Sequence, residues 1–95
     1  MKMSYSKNDV VTAVTMLGEV VGKFLEEDDT TITLGDPRLF VPGQDGKGGF
    51  APGLSMTGAQ ELSEAKINRA VCLSVIPAHP EIEAGWREIT SGLIV

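Results

Sequence analysis

Several features that would point to familiar classes of protein are scarce or missing in this chain. It has one cysteine, Cys72, which excludes an internal disulfide framework and fits a reducing compartment. It has one histidine, His79, and one cysteine and one histidine cannot complete a transition-metal site, so we expect no bound metal and a structural role for His79 as a helix N-cap. No apolar run approaches the ~18 residues of a membrane span, and the N-terminus lacks the apolar stretch of a signal peptide. The sequence therefore predicts a cytoplasmic protein without a membrane segment.

Basic charge is also scarce. The chain has 8 Lys and Arg against 13 Asp and Glu, which gives a formal net charge of −5. This balance argues against electrostatic binding of nucleic acid over a broad surface, because such binding needs clustered basic residues. A local basic site is still compatible with it, since exposed charges act over a Debye length of about 8–10 Å. No pair of side chains suggests acid–base or nucleophilic catalysis, so we expect neither an enzyme nor a bound cofactor.

The length predicts one domain spanning residues 1–95. A chain of this size buries only roughly 60–65% of its unfolded surface, so assembly with other copies would add burial. Residues 42–58 are unusual, because eight of these seventeen positions are Gly or Pro. That composition predicts a flexible loop without regular structure. Phe50 and Leu54 are too apolar for a simple linker, and we expect them to fold back on the domain or to meet a neighbouring subunit.

The clearest prediction is a β-hairpin over residues 18–34. Two runs of β-branched and aromatic residues flank an acidic tip at residues 26–29, which no buried strand could carry. Gly18 and Gly22 interrupt the first run and predict a sharp bend, which suits a small, curved barrel. The preceding residues 10–17 are β-branched but also show a helical spacing of apolar side chains. We expect a strand there, preceded by a short helical turn.

Residues 66–76 predict a second long strand, which Pro77 ends. One face of that strand would carry a charged residue and its larger apolar residues: Arg69, Ile67, Val71, Leu73 and Val75. Pro80 then begins a helix to Thr90, with apolar residues at helical spacing and glutamates in the first turn. The apolar residues 93–95 would favour aggregation if they stayed exposed. We therefore expect them to pair with a sheet edge, either of the same chain or of another copy.

Most candidate sites have a simpler structural interpretation. The glycine-rich residues 43–49 lack the spacing of a phosphate-binding loop, and no helix is predicted after them. The acidic tip matches no calcium-loop pattern, so a solvated turn is the simpler interpretation. Lys23 and Arg69 are basic residues on predicted strands, which solvent exposure alone would explain. They gain a functional interpretation from the motifs around them.

Two short motifs resemble those of the Sm-like family. The first, a glycine followed by an apolar residue, an aspartate and an apolar strand, is similar to Gly22, Phe24, Asp28 and Leu34. The second, an apolar residue before Arg-Gly and an alternating strand, is similar to residues 67–71, with Arg69 at the arginine position. The chain looks closest to divergent members of the kind found in marine cyanophages. The resemblance implies a mainly β fold, a small, strongly bent, five-stranded antiparallel barrel with a short N-terminal helix and an extra helix before the last strand.

The resemblance also implies an assembly. Sm-like proteins form rings by strand pairing between neighbours, here a ring of roughly five to seven copies in closed cyclic symmetry. The contact would join strand 66–76 of one copy to the end of the next, through Val71, Leu73, Val75, Leu93, Ile94 and Val95. The implied ligand is single-stranded RNA, bound at the ring pore near Thr31, Asn68, Arg69 and Lys23. Thr31 stands where the family has an asparagine, and the implied role is RNA metabolism or RNA chaperoning.

Two other interpretations stay open at this point. A ring could act purely as a structural or protein-interaction module, with partners meeting residues 42–58 and with no RNA bound. If the protein is phage-encoded, either kind of ring would act in the host cytoplasm. The remaining alternative is an isolated monomeric barrel, whose mass in solution would be that of one chain, 10.1 kDa.

Overall fold

The computed structural model describes residues 5–43, 47–55 and 57–91. Strands dominate this part of the chain. In chain order the elements are β1 (Val10–Thr15), β2 (Gly18–Glu27), β3 (Thr31–Pro42), β4 (Gly48–Phe50), β5 (Glu64–Asn68), a 3-10 turn (Arg69–Val71), β6 (Cys72–Pro77) and helix α1 (Pro80–Thr90). The mainly β class predicted from the sequence is confirmed, as is the strand predicted after residue 9.

The six strands form one antiparallel sheet. Its order is β4-β3-β2-β1-β6, and β5 also pairs with β3. The first part of β3 pairs with β5 and its end pairs with β4, so both short strands share one edge of β3. Within the described residues, β5 and β6 do not pair with each other. The sheet is therefore open and has six strands, where the resemblance implied a five-stranded barrel.

The hairpin predicted at residues 18–34 is present and extends further than predicted. Two register shifts let β2 and β3 bend together, and β3 continues through Gly35 and Asp36. Gly22 lies at this bend, where a Cβ would come 3.0 Å from the carbonyl oxygen of Gly35. A larger residue would push the two backbones apart, which explains the glycine. Asp36 adopts a positive φ of 47° at the same bend.

Residues 66–76 do not form the single strand that was predicted. The 3-10 turn Arg69–Val71 separates β5 from β6, so the predicted common face is interrupted. Asn68 begins this turn, because its side-chain oxygen accepts a 2.8 Å hydrogen bond from the N–H two residues later. The backbone N–H of Arg69 donates to the carbonyl of Thr30 in the hairpin. Apolar alternation could not reveal a break that depends on these contacts.

The short N-terminal helix implied by the resemblance is absent from residues 5–9, the part of that segment that the structure describes. A turn takes its place, in which the side chain of Asp9 accepts from the N–H of Ser6 and Asn8 has a positive φ of 77°. Backbone hydrogen bonds join Asn8 and Asp9 to Phe24 on β2. This pairing satisfies backbone groups without a helix.

Part of the glycine-rich segment 42–58 is a strand, so the prediction that it holds no regular structure is wrong there. β4 pairs with the end of β3, where Phe50 lies opposite Phe40 with ring centroids 5.1 Å apart. Leu54 packs against the main apolar cluster of the sheet. Both apolar residues fold back on the domain, which was one of the two alternatives. Glycine has low β-propensity, and pairing with β3 decides the conformation here.

Apolar residues are buried in two clusters. The larger consists of strand residues, Val11, Ala13, Val20, Phe24, Ile32 and Leu34. The smaller joins Val10 and Val21 to Trp86 of α1. Because successive side chains of a strand point to opposite faces, α1 covers the face of β1 and β2 opposite to the larger cluster.

Helix α1 begins at Pro80 and ends at Thr90, as predicted. His79 is its N-cap, and Nδ1 of this histidine accepts a 3.1 Å hydrogen bond from the N–H of Glu81. The helix is anchored by Trp86, whose indole N–H donates a 2.9 Å hydrogen bond to the carbonyl at the β3 bend. The structural role expected for His79 therefore agrees with its place at the helix start.

Arg38 on β3 is a buried cation with no acidic partner within the described ranges. It is only 7% exposed, and its NH1 group donates to the carbonyl of Pro52 at 3.2 Å. Its Nε atom is buried and has no hydrogen-bond partner there. A charge taken out of water without a counter-ion costs stability, so this residue is a weak point of the packing.

Candidate functional site

Three of the four residues predicted to bind RNA meet at the end of the β2–β3 hairpin. Thr31 at the start of β3 lies opposite Asn68 at the end of β5, and Arg69 follows in the 3-10 turn. Strand pairing thus joins two distant parts of the sequence at one end of the sheet. We refer to Thr31, Asn68 and Arg69 as the tip cluster.

The Arg69 side chain ties the 3-10 turn to the hairpin. Its NH1 group lies 2.6 Å from Oε2 of Glu27 and donates a 3.1 Å hydrogen bond to the carbonyl of Asp28. The Glu27 side chain is 19% exposed and that of Arg69 is 48% exposed. The pair offsets the arginine charge locally, and because it is partly solvated it contributes at most about 1 kcal/mol to stability. Arg69 is therefore anchored on one side and yet accessible.

Asp28 shapes the acidic tip. Its Oδ1 accepts hydrogen bonds from the backbone N–H groups and the hydroxyls of Thr30 and Thr31. The N–H groups of Thr30 and then Thr31 are the main reason that the pKa of the Asp28 carboxyl falls from its ordinary 3.8 to about 2. The tip keeps this negative charge at neutral pH. The Thr31 hydroxyl is satisfied within the hairpin.

A small cavity opens beside the tip cluster. Its volume is about 180 Å³, and it is lined by Tyr5, Glu27, Ile32, Arg69, Cys72, Leu73, Ser74 and Val75. These residues come from the hairpin end, the 3-10 turn and β6, so the cavity lies on the open side of the sheet. We call it the tip cavity. A carboxylate and a guanidinium face it together, and several of its other walls are apolar.

Tyr5 is a residue of this site that the sequence did not reveal. Its ring packs edge-on against Phe24, with centroids 4.9 Å apart, and its hydroxyl donates a long 3.4 Å hydrogen bond to Oε1 of Glu27. Burial, and then the nearby Glu27 carboxylate, raises the pKa of Tyr5, so the hydroxyl stays protonated at neutral pH. Tyr5 stands in a polar stretch without periodicity, and no sequence pattern marks it.

Cys72 lines the tip cavity as a neutral thiol. Burial raises the pKa of its thiol and outweighs the opposing effect of Arg69. Its Sγ lies 3.7 Å from the carbonyl oxygen of Asn68. A reactive cysteine has a depressed pKa instead, so the role of a small packing residue suits this position.

Lys23, the fourth residue predicted to bind RNA, lies elsewhere. It stands on β2 opposite Val10 and Gly35. It lines a separate hollow near α1, together with Asp36, Trp86, Arg87, Thr90 and Ser91. The fold therefore does not bring Lys23 to the tip cavity.

The described part of the chain contains no group of three or more His, Cys, Asp or Glu that could hold a metal ion. It contains no helix long and apolar enough to cross a membrane.

Three strands of the sheet keep a free edge in the described ranges. β6 pairs only with β1, and the short strands β4 and β5 each pair only with β3. Each therefore offers one row of backbone N–H and C=O groups to another strand. The edge of β6 lies at one end of the sheet and those of β4 and β5 lie at the other, so the edges are not equivalent.

Exposed apolar surface is concentrated near β6. Of the seven large apolar side chains that the described residues expose, five lie on β6, on the 3-10 turn or on the β1–β2 turn: Met16, Leu17, Val71, Leu73 and Ile76. The β1–β2 turn adjoins β6, because the N–H of Met16 donates to the carbonyl of Val71. Leu17 is 94% exposed and Leu73 is 72% exposed. We call these five residues the β6 surface.

The β6 surface includes two of the six interface residues predicted from the sequence, Val71 and Leu73. Val75 is half-buried beside them and lines the tip cavity. The other three, Leu93, Ile94 and Val95, lie outside the described residues.

No protein-family model matches this chain, and no curated protein matches it.

Proposed function

We propose that this chain is an Sm-like subunit that assembles with copies of itself into a closed ring. The observation that carries the proposal is that the sheet has a free edge at each end in the described residues, with β6 at one end and β5 at the other. A contact between two different edges is head-to-tail, and such contacts close into a ring when the rotation between copies allows it. The sheet bend at Gly22 supports a strongly bent, Sm-like sheet as the parent architecture.

The proposed contact places β6 of one copy beside β5 of the next. Main-chain hydrogen bonds would supply affinity, as in other cases where a strand is added to a sheet edge. Val71, Leu73 and Val75 would supply apolar contacts, which a lone copy leaves partly in water. Residues 93–95, which the sequence predicts to pair with residues 66–76 of a neighbouring copy, remain a second candidate for this contact.

Mass in solution tests this assembly. Light scattering on a sizing column should return a several-fold multiple of 10.1 kDa for the wild type. Leu73→Glu should reduce the mass towards that of one chain, because the contact would bury an unpaired charge. Ile89→Glu is the matched control, since Ile89 is an exposed apolar residue on α1 outside the β6 surface. A wild type of 10.1 kDa at every concentration would contradict the ring.

For the ring we further propose binding of single-stranded RNA at the tip cluster. The support is the proximity of Thr31, Asn68 and Arg69 beside a cavity that can take part of a nucleotide. Contacts with base faces contribute about 1–3 kcal/mol per base in proteins that bind single strands. The ring would act in RNA metabolism or as an RNA chaperone in the cytoplasm, that of the host if it is phage-encoded.

Fluorescence anisotropy with short labelled RNA oligomers at low salt tests this activity. Arg69→Gln should abolish the binding while the mass of the ring stays unchanged. Lys23→Gln removes the same charge from a residue outside the tip cavity, and it should leave the affinity unchanged. Equal losses in the two variants would contradict the assignment of the site.

A second candidate is a ring that binds only proteins. It is favoured by the Arg69–Glu27 pair and by the ionised Asp28, which make the tip a poor receptor for phosphate. A wild type that forms a ring but binds no RNA oligomer at low salt would support this candidate over the first.

A further inference from the structure

The tip cavity combines hydrogen-bonding groups of opposite kinds. Oε2 of Glu27 is paired with NH1 of Arg69, whereas Oε1 receives only the long 3.4 Å bond from Tyr5. The carboxylate therefore has acceptor capacity left, and about half of the arginine side chain is exposed. A ligand in this cavity would meet an acceptor and a donor side by side.

This combination suits a neutral nucleobase better than a phosphate. Glu27 and the ionised Asp28 repel an anion, and the single guanidinium between them is already partly neutralised. A base carries N–H donors and C=O acceptors on one edge, and proteins recognise unstacked RNA bases through such edges. An acidic site can therefore bind RNA if it reads the base and leaves the phosphates in water.

Among the four RNA bases, guanine matches the two groups best. Its Watson–Crick edge presents O6, an acceptor, next to two adjacent donors, N1–H and the N2 amino group. An ionised carboxylate only accepts hydrogen bonds, so two adjacent donors suit Glu27, and O6 suits the guanidinium of Arg69. Adenine, cytosine and uracil each lack the adjacent pair of donors.

We propose that the tip cavity binds a guanine base of single-stranded RNA, with Glu27 as the residue that determines base preference. The inference rests on the RNA binding proposed for the tip cluster. The cavity volume of about 180 Å³ is below the ~300–1,000 Å³ of pockets for drug-sized ligands, so it takes one base and no more. Tyr5 and Ile32, which take no part in the proposed strand contact, line the cavity and provide apolar walls for the faces of that base.

Affinity for single-base variants of one oligomer tests the proposal. The probes are labelled pentauridylates whose central position is uridine, guanosine, inosine, adenosine or cytidine. Inosine lacks only the N2 amino group, so it isolates one of the two donors. The guanosine oligomer should bind about tenfold or more tighter than the inosine oligomer, as expected for a hydrogen bond to a charged group. The salt dependence should be shallow, because few phosphates are neutralised.

Two carboxylate variants separate a specific role of Glu27 from the general charge of the tip. Glu27→Gln keeps the size of the side chain but replaces one acceptor oxygen by a donor, and it should remove most of the preference for guanosine over inosine. It should also steepen the salt dependence, because Arg69 is then free for phosphate. Glu26→Gln removes one negative charge from the neighbouring exposed position and should keep the preference.

The outcomes distinguish the inference from the function on which it rests. Equal binding of all five oligomers, or an unchanged preference in Glu27→Gln, would overturn the guanine site and leave RNA binding in place. If the wild type binds none of the oligomers, the RNA function fails and the guanine site fails with it. Unchanged circular dichroism and an unchanged ring mass for both variants establish that the fold is intact.

Discussion

The face covered by α1 and the β6 surface are both apolar, but only the first is covered by the chain itself. On the covered face Trp86 is 2% exposed, and its indole N–H is satisfied by the carbonyl of Asp36. On the β6 surface Leu73 is largely exposed, and β6 has no second neighbour in the described residues. Single exposed apolar residues are ordinary, whereas a group of them beside a free strand edge marks an interaction site. From this difference we expect another copy of the chain to cover the β6 surface, which α1 leaves exposed.

The largest effect should come from removing the anchor of the covered face. Trp86→Ala deletes a buried aromatic side chain and an indole hydrogen bond, and it should lower the free energy of unfolding by about 3–5 kcal/mol. Denaturant unfolding measures this change. Arg87→Ala, at the exposed neighbouring position, is the control and should cost less than about 1 kcal/mol. A loss below 1 kcal/mol for Trp86→Ala would mean that α1 is not essential for burying that face.

The bend of the β2–β3 hairpin at Gly22 should be the next most sensitive position. In Gly22→Ala the new Cβ would lie 3.0 Å from a backbone oxygen of Gly35 and 3.1 Å from Cβ of Leu34. We expect a loss of about 1–3 kcal/mol, as for other overpacked sites. Gly49→Ala on β4 adds the same atom where no other atom lies within 4 Å, so it should be nearly neutral. Thermal unfolding of the two variants measures this difference in stability. Equal melting temperatures would contradict the close approach of the β2 and β3 backbones at Gly22.

Arg38 tests whether the interior of the sheet tolerates an apolar replacement. Arg38→Met removes a buried cation without an acidic partner in the described ranges and keeps much of its volume. We expect a change between neutral and about 2 kcal/mol of stabilisation, since apolar replacements of buried charges are often tolerated in this way. Chemical denaturation provides the measurement. A loss of several kcal/mol would show that Arg38 has a counter-ion in the assembled protein.

The smallest expected effect on stability comes from Asp28 in the solvated hairpin tip, which lies outside both the face covered by α1 and the β6 surface. The pKa of the Asp28 carboxyl is about 2 in the folded protein and 3.8 ordinarily, so the folded state favours the ionised form. Its contribution to stability should be complete above about pH 4 and should disappear as the pH falls towards 2. An NMR titration of this carboxyl should give the low midpoint. A midpoint near 3.8 would contradict the hydrogen bonds from Thr30 and Thr31.

Local patterns predicted the parts of the fold that local interactions decide. Strand alternation and the acidic tip predicted the hairpin, and Pro80 with its spaced apolar residues predicted α1. The break at the 3-10 turn was missed, because the Asn68 cap and the bond from Arg69 to Thr30 form only in the folded chain. β4 was missed because glycines carry no strand signal, although β3 can pair with them.

The candidate site divides in the same way. Short motifs were enough to single out Thr31, Asn68 and Arg69, which strand pairing brings together. The partners that give the cavity its chemistry, Tyr5 and Glu27, could not be predicted. Tyr5 contacts Glu27 only because its ring packs on Phe24 of β2. Glu27 is one of four consecutive acidic residues, and the sequence does not show which of them faces the cavity.

Amide hydrogen exchange along β6 tests most directly whether the β6 surface is covered by another copy. The measurement compares the wild type with Leu73→Glu under identical conditions, with β2 as an internal reference. We predict that β6 of the wild type exchanges as slowly as β2, and that the variant loses protection in β6 while β2 is unchanged. Rapid exchange of β6 in the wild type, equal to that in the variant, would contradict the account.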